Sequence, residues 1–128
     1  MKRRRWSPTV KPVVGNGPKN IAPDYMVAMA KSFIAHNIRR IVAEEGEYIH
    51  ASCLEGQFHA LGHPDIPTVP CACCGEPAAV SCRVCENAWK RGLASLVQSG
   101  AVVADGDELR AGDLEALVAV PDPQWRSA

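Results

Sequence analysis

Large aromatic side chains are scarce in this 128-residue chain, which contains two Phe, two Tyr and three Trp. Its hydrophobic content of 47% therefore consists mainly of Ala, Val, Leu and Ile, which offer the core few large anchors. The length suits one domain with a modest core rather than two domains. We expect such a core to need additional stabilisation, which a structural metal ion can supply.

Long apolar segments are also missing. No run approaches the roughly 18 apolar residues that indicate a membrane span, and no signal-peptide core follows the charged start from Met1 to Trp6. We therefore expect a cytoplasmic protein without membrane contact, in a compartment where thiols stay reduced. There, the six cysteines favour metal binding over disulfides, the alternative that an oxidising compartment would require.

Four of the cysteines form two Cys-x2-Cys pairs, Cys71 with Cys74 and Cys82 with Cys85. A gap of two residues lets both sulfurs of a pair reach one ion at about 2.3 Å. Gly75 follows the first pair directly and supplies the permissive backbone that a tight metal-binding turn needs. The spacing predicts one structural zinc ion held by these four cysteines, with no coordination position left for water.

The remaining cysteines and two histidines allow other ligand sets. His59 and His63 are four residues apart, so on a helical turn they would converge, and with Cys53 and Cys73 they would form a second zinc site. Otherwise Cys53 is interpreted as a buried thiol, and Cys73 as an alternate ligand or a small residue in the turn. Cys53 also resembles, with Cys71, Cys74 and Cys82, the four-cysteine set of small iron–sulfur regulators, which implies a cluster instead of zinc.

Residues 71–92 combine a cysteine turn, a short hairpin and a helix whose first turn carries the second cysteine pair. Ser81 is a suitable N-cap for that helix, and Gly100 a suitable stop. This layout resembles the short treble-clef zinc fingers of the HIT, MYND and B-box type. We expect the zinc to be structural and the finger to present a surface to a macromolecule.

A different resemblance involves Cys53-Leu54-Glu55 and the segment from Pro70 to Cys74. These are similar to the Cys-x-Glu and Pro-Cys-x-x-Cys motifs of zinc-dependent cytidine deaminases. The resemblance implies zinc held by Cys53, Cys71 and Cys74, with Glu55 transferring protons. The intervening segment is rich in Gly and Pro, and the sequence shows no Ser-His-Asp order, phosphate-binding Gly loop or paired carboxylates. We therefore expect a protein that is not an enzyme.

The hydrophobic pattern predicts an α+β fold in one domain, residues 23–120, between an arm at 1–22 and a tail at 121–128. A long helix is expected from Asp24 to Glu45, because Pro23 precedes and Gly46 follows an apolar face of helical period. Residues 47–70 are expected to form loops, short helical turns and a short strand. A hairpin around Gly106 and a helix from Leu114 to Val120, capped by Asp113, are expected at the C-terminal end.

The net charge is zero, but it is unevenly distributed. Residues 1–20 carry six basic and no acidic side chains, whereas residues 101–128 carry six acids and two arginines. Frequent Pro and Gly favour an extended basic arm that contacts a polyanion or a partner. We predict nucleic acid or a nucleoprotein machine as the partner. The alternative is a protein-interaction module, such as a regulator, an inhibitor, or a viral accessory or assembly factor, and no small-molecule substrate is expected. The candidate contacts are Lys2, Arg3, Arg4, Arg5, Arg83, Lys90 and Arg91.

Overall fold

The computed structural model describes residues 21–63, 67–71, 74–79 and 83–123. These residues form an α+β domain with a long first helix, as the sequence predicts. None of the described helices is both long and apolar enough to cross a membrane. In chain order the elements are α1 (Asp24–Ala43), β1 (Ile49–His50), α2 (Ala51–Gly62), β2 (Val69–Pro70), β3 (Pro77–Ala78), α3 (Arg83–Gln98), β4 (Val102–Asp105), β5 (Glu108–Ala111) and α4 (Leu114–Val118).

Packing of α1 against α3 forms the centre of the core. The predicted apolar face of α1 is buried, and α1 ends at Ala43 rather than Glu45 because Glu45 adopts a left-handed φ of 64°. Gly92 allows the two helices to approach closely, since a Cβ on this residue would lie 2.9 Å from the Cβ of Ala30. The buried residues of the two helices include Ala30, Phe33, Ile34, Ile38, Ile41, Cys85, Ala88, Trp89 and Leu96.

A three-stranded antiparallel sheet in the order β1-β5-β4 packs beside these helices. The hairpin between β4 and β5 turns at Gly106, whose φ of 62° suits the tight turn predicted there. Asp113 caps α4 as expected, because its carboxylate accepts a hydrogen bond from the Glu115 amide at 3.2 Å. Arg39 of α1 then fixes the end of α4 by donating to the Leu117 carbonyl at 2.9 Å.

Helix α2 differs from the loops and short turns expected over residues 47–70. Its N-terminus is capped by Asp107, which lies in the β4–β5 turn and not next to the helix in sequence. The Asp107 carboxylate accepts from the Ser52 amide at 3.0 Å and from the Ser52 hydroxyl at 2.8 Å, and the Asp107 carbonyl accepts from the Ala51 amide at 2.7 Å. This cap satisfies orphan amides of the first turn, so the helix begins without a local capping residue.

The start of the described chain is fixed to α3. The Ala22 amide donates to Asn87 Oδ1 at 2.8 Å, and the Ala22 carbonyl accepts from the Arg91 guanidinium at 2.9 Å. Ala22 itself is buried. Residues 1–20, which contain the six basic side chains of the predicted arm, lie outside the described residues.

Candidate metal centre

The first cysteine pair lies at the tip of the β2–β3 hairpin. The Cys71 amide donates to the Glu76 carbonyl at 2.9 Å, and the Gly75 amide donates to the Cys71 carbonyl at 2.8 Å. Gly75 adopts a φ of 78°, a left-handed conformation that glycine takes without a steric penalty. The hairpin therefore forms the tight turn that the glycine after Cys74 predicts.

Helix α2 brings a third cysteine to this turn. The sulfurs of Cys53, Cys71 and Cys74 lie within 4.8 Å of one another, and we refer to these three residues as the cysteine cluster. The Cys53 and Cys71 sulfurs are 3.5 Å apart. That separation is close to the value of about 3.8 Å for two thiolates around tetrahedral zinc, and far longer than a disulfide bond of about 2.05 Å. The cluster thus has the dimensions of a metal site.

The three cysteines of the cluster differ in their exposure to solvent. Cys53 is buried, Cys71 is half-buried and Cys74 is exposed. The amide nitrogen of Gln57, one helical turn after Cys53, donates to the Cys74 sulfur at 3.5 Å. The Ala79 amide donates to the Gly56 carbonyl at 3.2 Å, and this bond joins the hairpin to α2 beside the cluster.

A cleft of about 880 Å³ adjoins the cysteine cluster. Both Cys53 and Cys74 line it, so the cluster is reachable from solvent on this side. Helix α1 contributes four of the lining residues. The polar and aromatic residues of the lining include His36, Asn37, Arg40, Tyr48, His50 and Gln57.

The four cysteines predicted as ligands do not all meet in the part of the chain that the structure describes. Cys71 and Cys74 are together, Cys82 lies outside the described residues, and Cys85 is not a member of the cysteine cluster. The Cys85 sulfur instead lies 3.0 Å from His63 Nε2. Cys73, the sixth cysteine, also lies outside the described residues.

Cys53 belongs to the cysteine cluster, although sequence spacing does not group it with Cys71 and Cys74. Cys53 is also buried, which agrees with its interpretation as a buried thiol. The signal for its membership of the cluster was the similarity of Cys53-Leu54-Glu55 to the deaminase motif, which implied a ligand set of Cys53, Cys71 and Cys74. The structure brings together these three cysteines.

Glu55 has a different neighbour from the one that the deaminase resemblance implied. Its carboxylate lies 3.3 Å from Nε2 of His59, one turn further along α2. His59 is only 1% exposed, and Glu55 is not among the residues that line the cleft. The acid is thus positioned by a buried imidazole rather than directed into the cleft beside Cys53 and Cys74.

Two of the basic residues predicted to contact a partner, Lys90 and Arg91, lie beside carboxylates of the same chain. Arg91, besides holding the Ala22 carbonyl, lies 3.7 Å from the Asp24 carboxylate. Lys90 lies 3.3 Å from the Glu86 carboxylate one turn earlier in α3. Arg83 is exposed at the start of α3, while Lys2, Arg3, Arg4 and Arg5 lie outside the described residues.

Comparison of the chain with family models, with curated proteins and with solved structures finds no match.

Proposed function

We propose that this chain is a small zinc-binding protein in which Cys53, Cys71 and Cys74 supply three of the ligands of a structural metal ion. The observation that carries the proposal is the approach of their three sulfurs to within 4.8 Å of one another. Thiolate donors favour zinc over hard cations such as magnesium and calcium. One of the three thiols, that of Cys53, is buried, and one, that of Cys71, is half-buried, so the cluster also keeps these two donors largely out of water.

The structural role follows from what the metal would connect. Strands β2 and β3 contain two residues each, and an isolated hairpin of this size is unstable in water. Cys71 and Cys74 lie on this hairpin, whereas Cys53 lies on α2, so a shared ion would fasten the hairpin to the domain. Because ligands from both elements are needed, the free energy of metal binding also stabilises the fold.

The first experiment measures the metal content of the purified full chain by elemental analysis. We expect zinc to co-purify, and Cys53→Ser to lower zinc content by about one equivalent and to reduce the cooperativity of unfolding. Glu55→Gln is the matched control, since it changes a side chain in the same helical turn that is not a ligand and preserves a group able to hydrogen-bond His59. This control should keep the metal.

Two results would change the ligand assignment. If Cys53→Ser retained all its zinc while Cys82→Ser lost it, the ligands would return to Cys71, Cys74, Cys82 and Cys85, the set that the sequence spacing predicts. Iron with visible absorbance, in place of zinc, would instead support the iron–sulfur alternative.

For the biological role we propose a non-enzymatic one, in which the basic arm meets nucleic acid or a nucleoprotein complex. Six positive charges in residues 1–20 support this proposal, because no acid within that segment neutralises them. The described basic residues contribute less, since Lys90 and Arg91 already face carboxylates of the same chain. A protein partner is the alternative that the neutral whole-chain charge supports.

A cytidine deaminase is a second candidate, favoured by one observation: the cysteine cluster is the ligand set that this resemblance implies. Against it, the Glu55 carboxylate lies against His59 and not in the cleft. Incubation of the zinc-loaded protein with cytidine and with single-stranded cytosine DNA separates the candidates. We expect no conversion, and conversion that Glu55→Gln abolishes would establish the enzyme.

A further inference from the structure

His63 and Cys85 bring a nitrogen and a sulfur donor together away from the cysteine cluster. His63 directly follows α2, and its amide donates to the His59 carbonyl at 3.0 Å, which fixes the end of the helix. Cys85 lies in the first turn of α3 and is 3% exposed. Nε2 of His63 and the sulfur of Cys85 are 3.0 Å apart. Two separate helices thus direct metal-ligand atoms at one partly buried point.

The length of α2 separates this pair from the cysteine cluster. Cys53 lies in the first turn of α2 and His63 at its C-terminal end, and ten residues of helix span about 15 Å. Donor atoms bound to the same zinc ion lie no more than about 4.6 Å apart, since each bond is at most about 2.3 Å. A cysteine and a histidine side chain cannot cover the remaining distance. One ion therefore cannot use both Cys53 and His63.

We propose that His63 and Cys85 are ligands of a second zinc ion, distinct from the ion at the cysteine cluster. The inference rests on the proposed zinc-binding function and divides the single four-cysteine site predicted from spacing between two metals. Imidazole and thiolate are standard zinc donors, and around tetrahedral zinc their donor atoms lie about 3.5 Å apart. The observed 3.0 Å is near that value, so a small outward movement of the two side chains would admit the ion.

Further features of the chain suit a metal at this point. Gly62, the residue before His63, lies against Cys85, since a Cβ at Gly62 would be 3.9 Å from the Cys85 sulfur. In the sequence, Cys82 precedes Cys85 with the two-residue gap of a zinc-binding turn, although Cys82 lies outside the described residues.

The test is the zinc content of the full chain and of five variants, measured by elemental analysis with the fold monitored by circular dichroism. We expect about two equivalents in the natural sequence and about one in each of Cys85→Ser, His63→Gln and Cys53→Ser, because each variant removes a ligand from only one site. The variant His63→Cys should keep about two equivalents, because the cysteine thiolate can bind zinc in place of the histidine imidazole. The cobalt-substituted form of His63→Cys should also show stronger sulfur-to-metal absorption.

His36→Gln is the matched control, because it removes a histidine of α1 that lies outside the pair, and its metal content should equal that of the natural sequence. One equivalent in the natural sequence, lost in both Cys53→Ser and Cys85→Ser, would overturn the second site in favour of a shared one. Full retention of zinc in folded His63→Gln and Cys85→Ser would reduce the pair to a hydrogen bond. If only Cys53→Ser retained all its zinc, the cysteine cluster would fail as a site while the second site would stand. Should Cys85→Ser not fold, the comparison of His63→Gln with His63→Cys decides the outcome.

Discussion

Gly56 sets the distance between α2 and the β2–β3 hairpin, and hence between the cysteines that these elements carry. A Cβ at Gly56 would lie 2.8 Å from the Cβ of Ala78, closer than two carbon atoms pack without a shift. The Gly56 carbonyl also accepts the Ala79 amide at 3.2 Å. In a helix interior glycine usually costs about 1 kcal/mol relative to alanine. Here the close approach of the hairpin explains its presence.

We predict that Gly56→Ala weakens zinc binding several-fold and lowers the free energy of unfolding by about 1 kcal/mol. Overpacking costs about 1–3 kcal/mol, and the better helix propensity of alanine returns about 1 kcal/mol. Denaturant unfolding and chelator competition measure the two effects. The double variant Gly56→Ala with Ala78→Gly removes the clash and should recover zinc affinity.

Gly62→Ala is the control for this prediction, because it makes the same substitution in the same helix where the new Cβ meets only an ordinary contact at 3.9 Å. It should leave affinity at the cysteine cluster unchanged. If Gly56→Ala stabilised the protein without loss of zinc affinity, the contact with Ala78 would not govern the position of the hairpin.

At the scale of the elements, α2 is the part of the molecule on which both proposed sites depend. Cys53 lies in its first turn and His63 directly after its last residue, so the helix determines where both metals bind. Its start is held from a distance by Asp107, through the two carboxylate hydrogen bonds to Ser52. Loss of this cap would fray the turn that carries Cys53.

We predict that Asp107→Ala lowers the free energy of unfolding by about 0.5–1 kcal/mol, the lower part of the range for N-caps, because the hydrogen bonds are exposed to solvent. Asp107→Asn keeps one acceptor for the Ser52 amide and should retain most of this stability. Chemical denaturation of the three proteins at equal zinc loading provides the measurement. Asp105→Ala, an exposed aspartate of the same hairpin, should have little effect, and an equal loss there would contradict the capping role.

The elements that sequence reasoning identified are those whose signals are local. The apolar period of α1, the turn at Gly106 and the Asp113 cap all lie within the segments that they specify. Helix α2 was missed because its cap, Asp107, is 55 residues away from Ser52 and its central glycine is explained by Ala78. Neither relation is visible from the segment itself.

The candidate metal ligands also show that local relations can be predicted from the sequence and distant ones cannot. Spacing correctly grouped Cys71 with Cys74, because both belong to one turn. It also grouped them with Cys82 and Cys85, whereas the structure places Cys53 beside them and Cys85 beside His63. These contacts depend on how α2 packs against the hairpin and α3, which spacing does not report. Sequence spacing specifies a pair of ligands better than it specifies a complete site.

At the scale of the whole molecule, Ala22 is the residue at which the arm meets the domain. Both its amide and its carbonyl are bonded to α3, through Asn87 and Arg91. Arg91 is therefore a poor choice for testing partner binding, because its loss would also release this anchor. The residues suited to the test are those in the arm itself.

We predict weak, sequence-independent binding of the full chain to DNA or RNA at low salt, through the six basic residues of the arm. Each phosphate contact contributes about −0.9 to the slope of log affinity against log salt on duplex DNA. Neutralising Lys2, Arg3, Arg4 and Arg5 should therefore make the slope less steep by up to about 3.6, as well as weaken binding. Fluorescence anisotropy across a salt series gives both quantities.

Arg110→Gln is the control, because Arg110 pairs with Glu108 at 2.7 Å on β5 and its loss should leave the slope unchanged. The favourable free energy of counterion release is largest at low salt. Absence of binding to either nucleic acid at about 50 mM salt would therefore contradict the proposal and favour a protein partner.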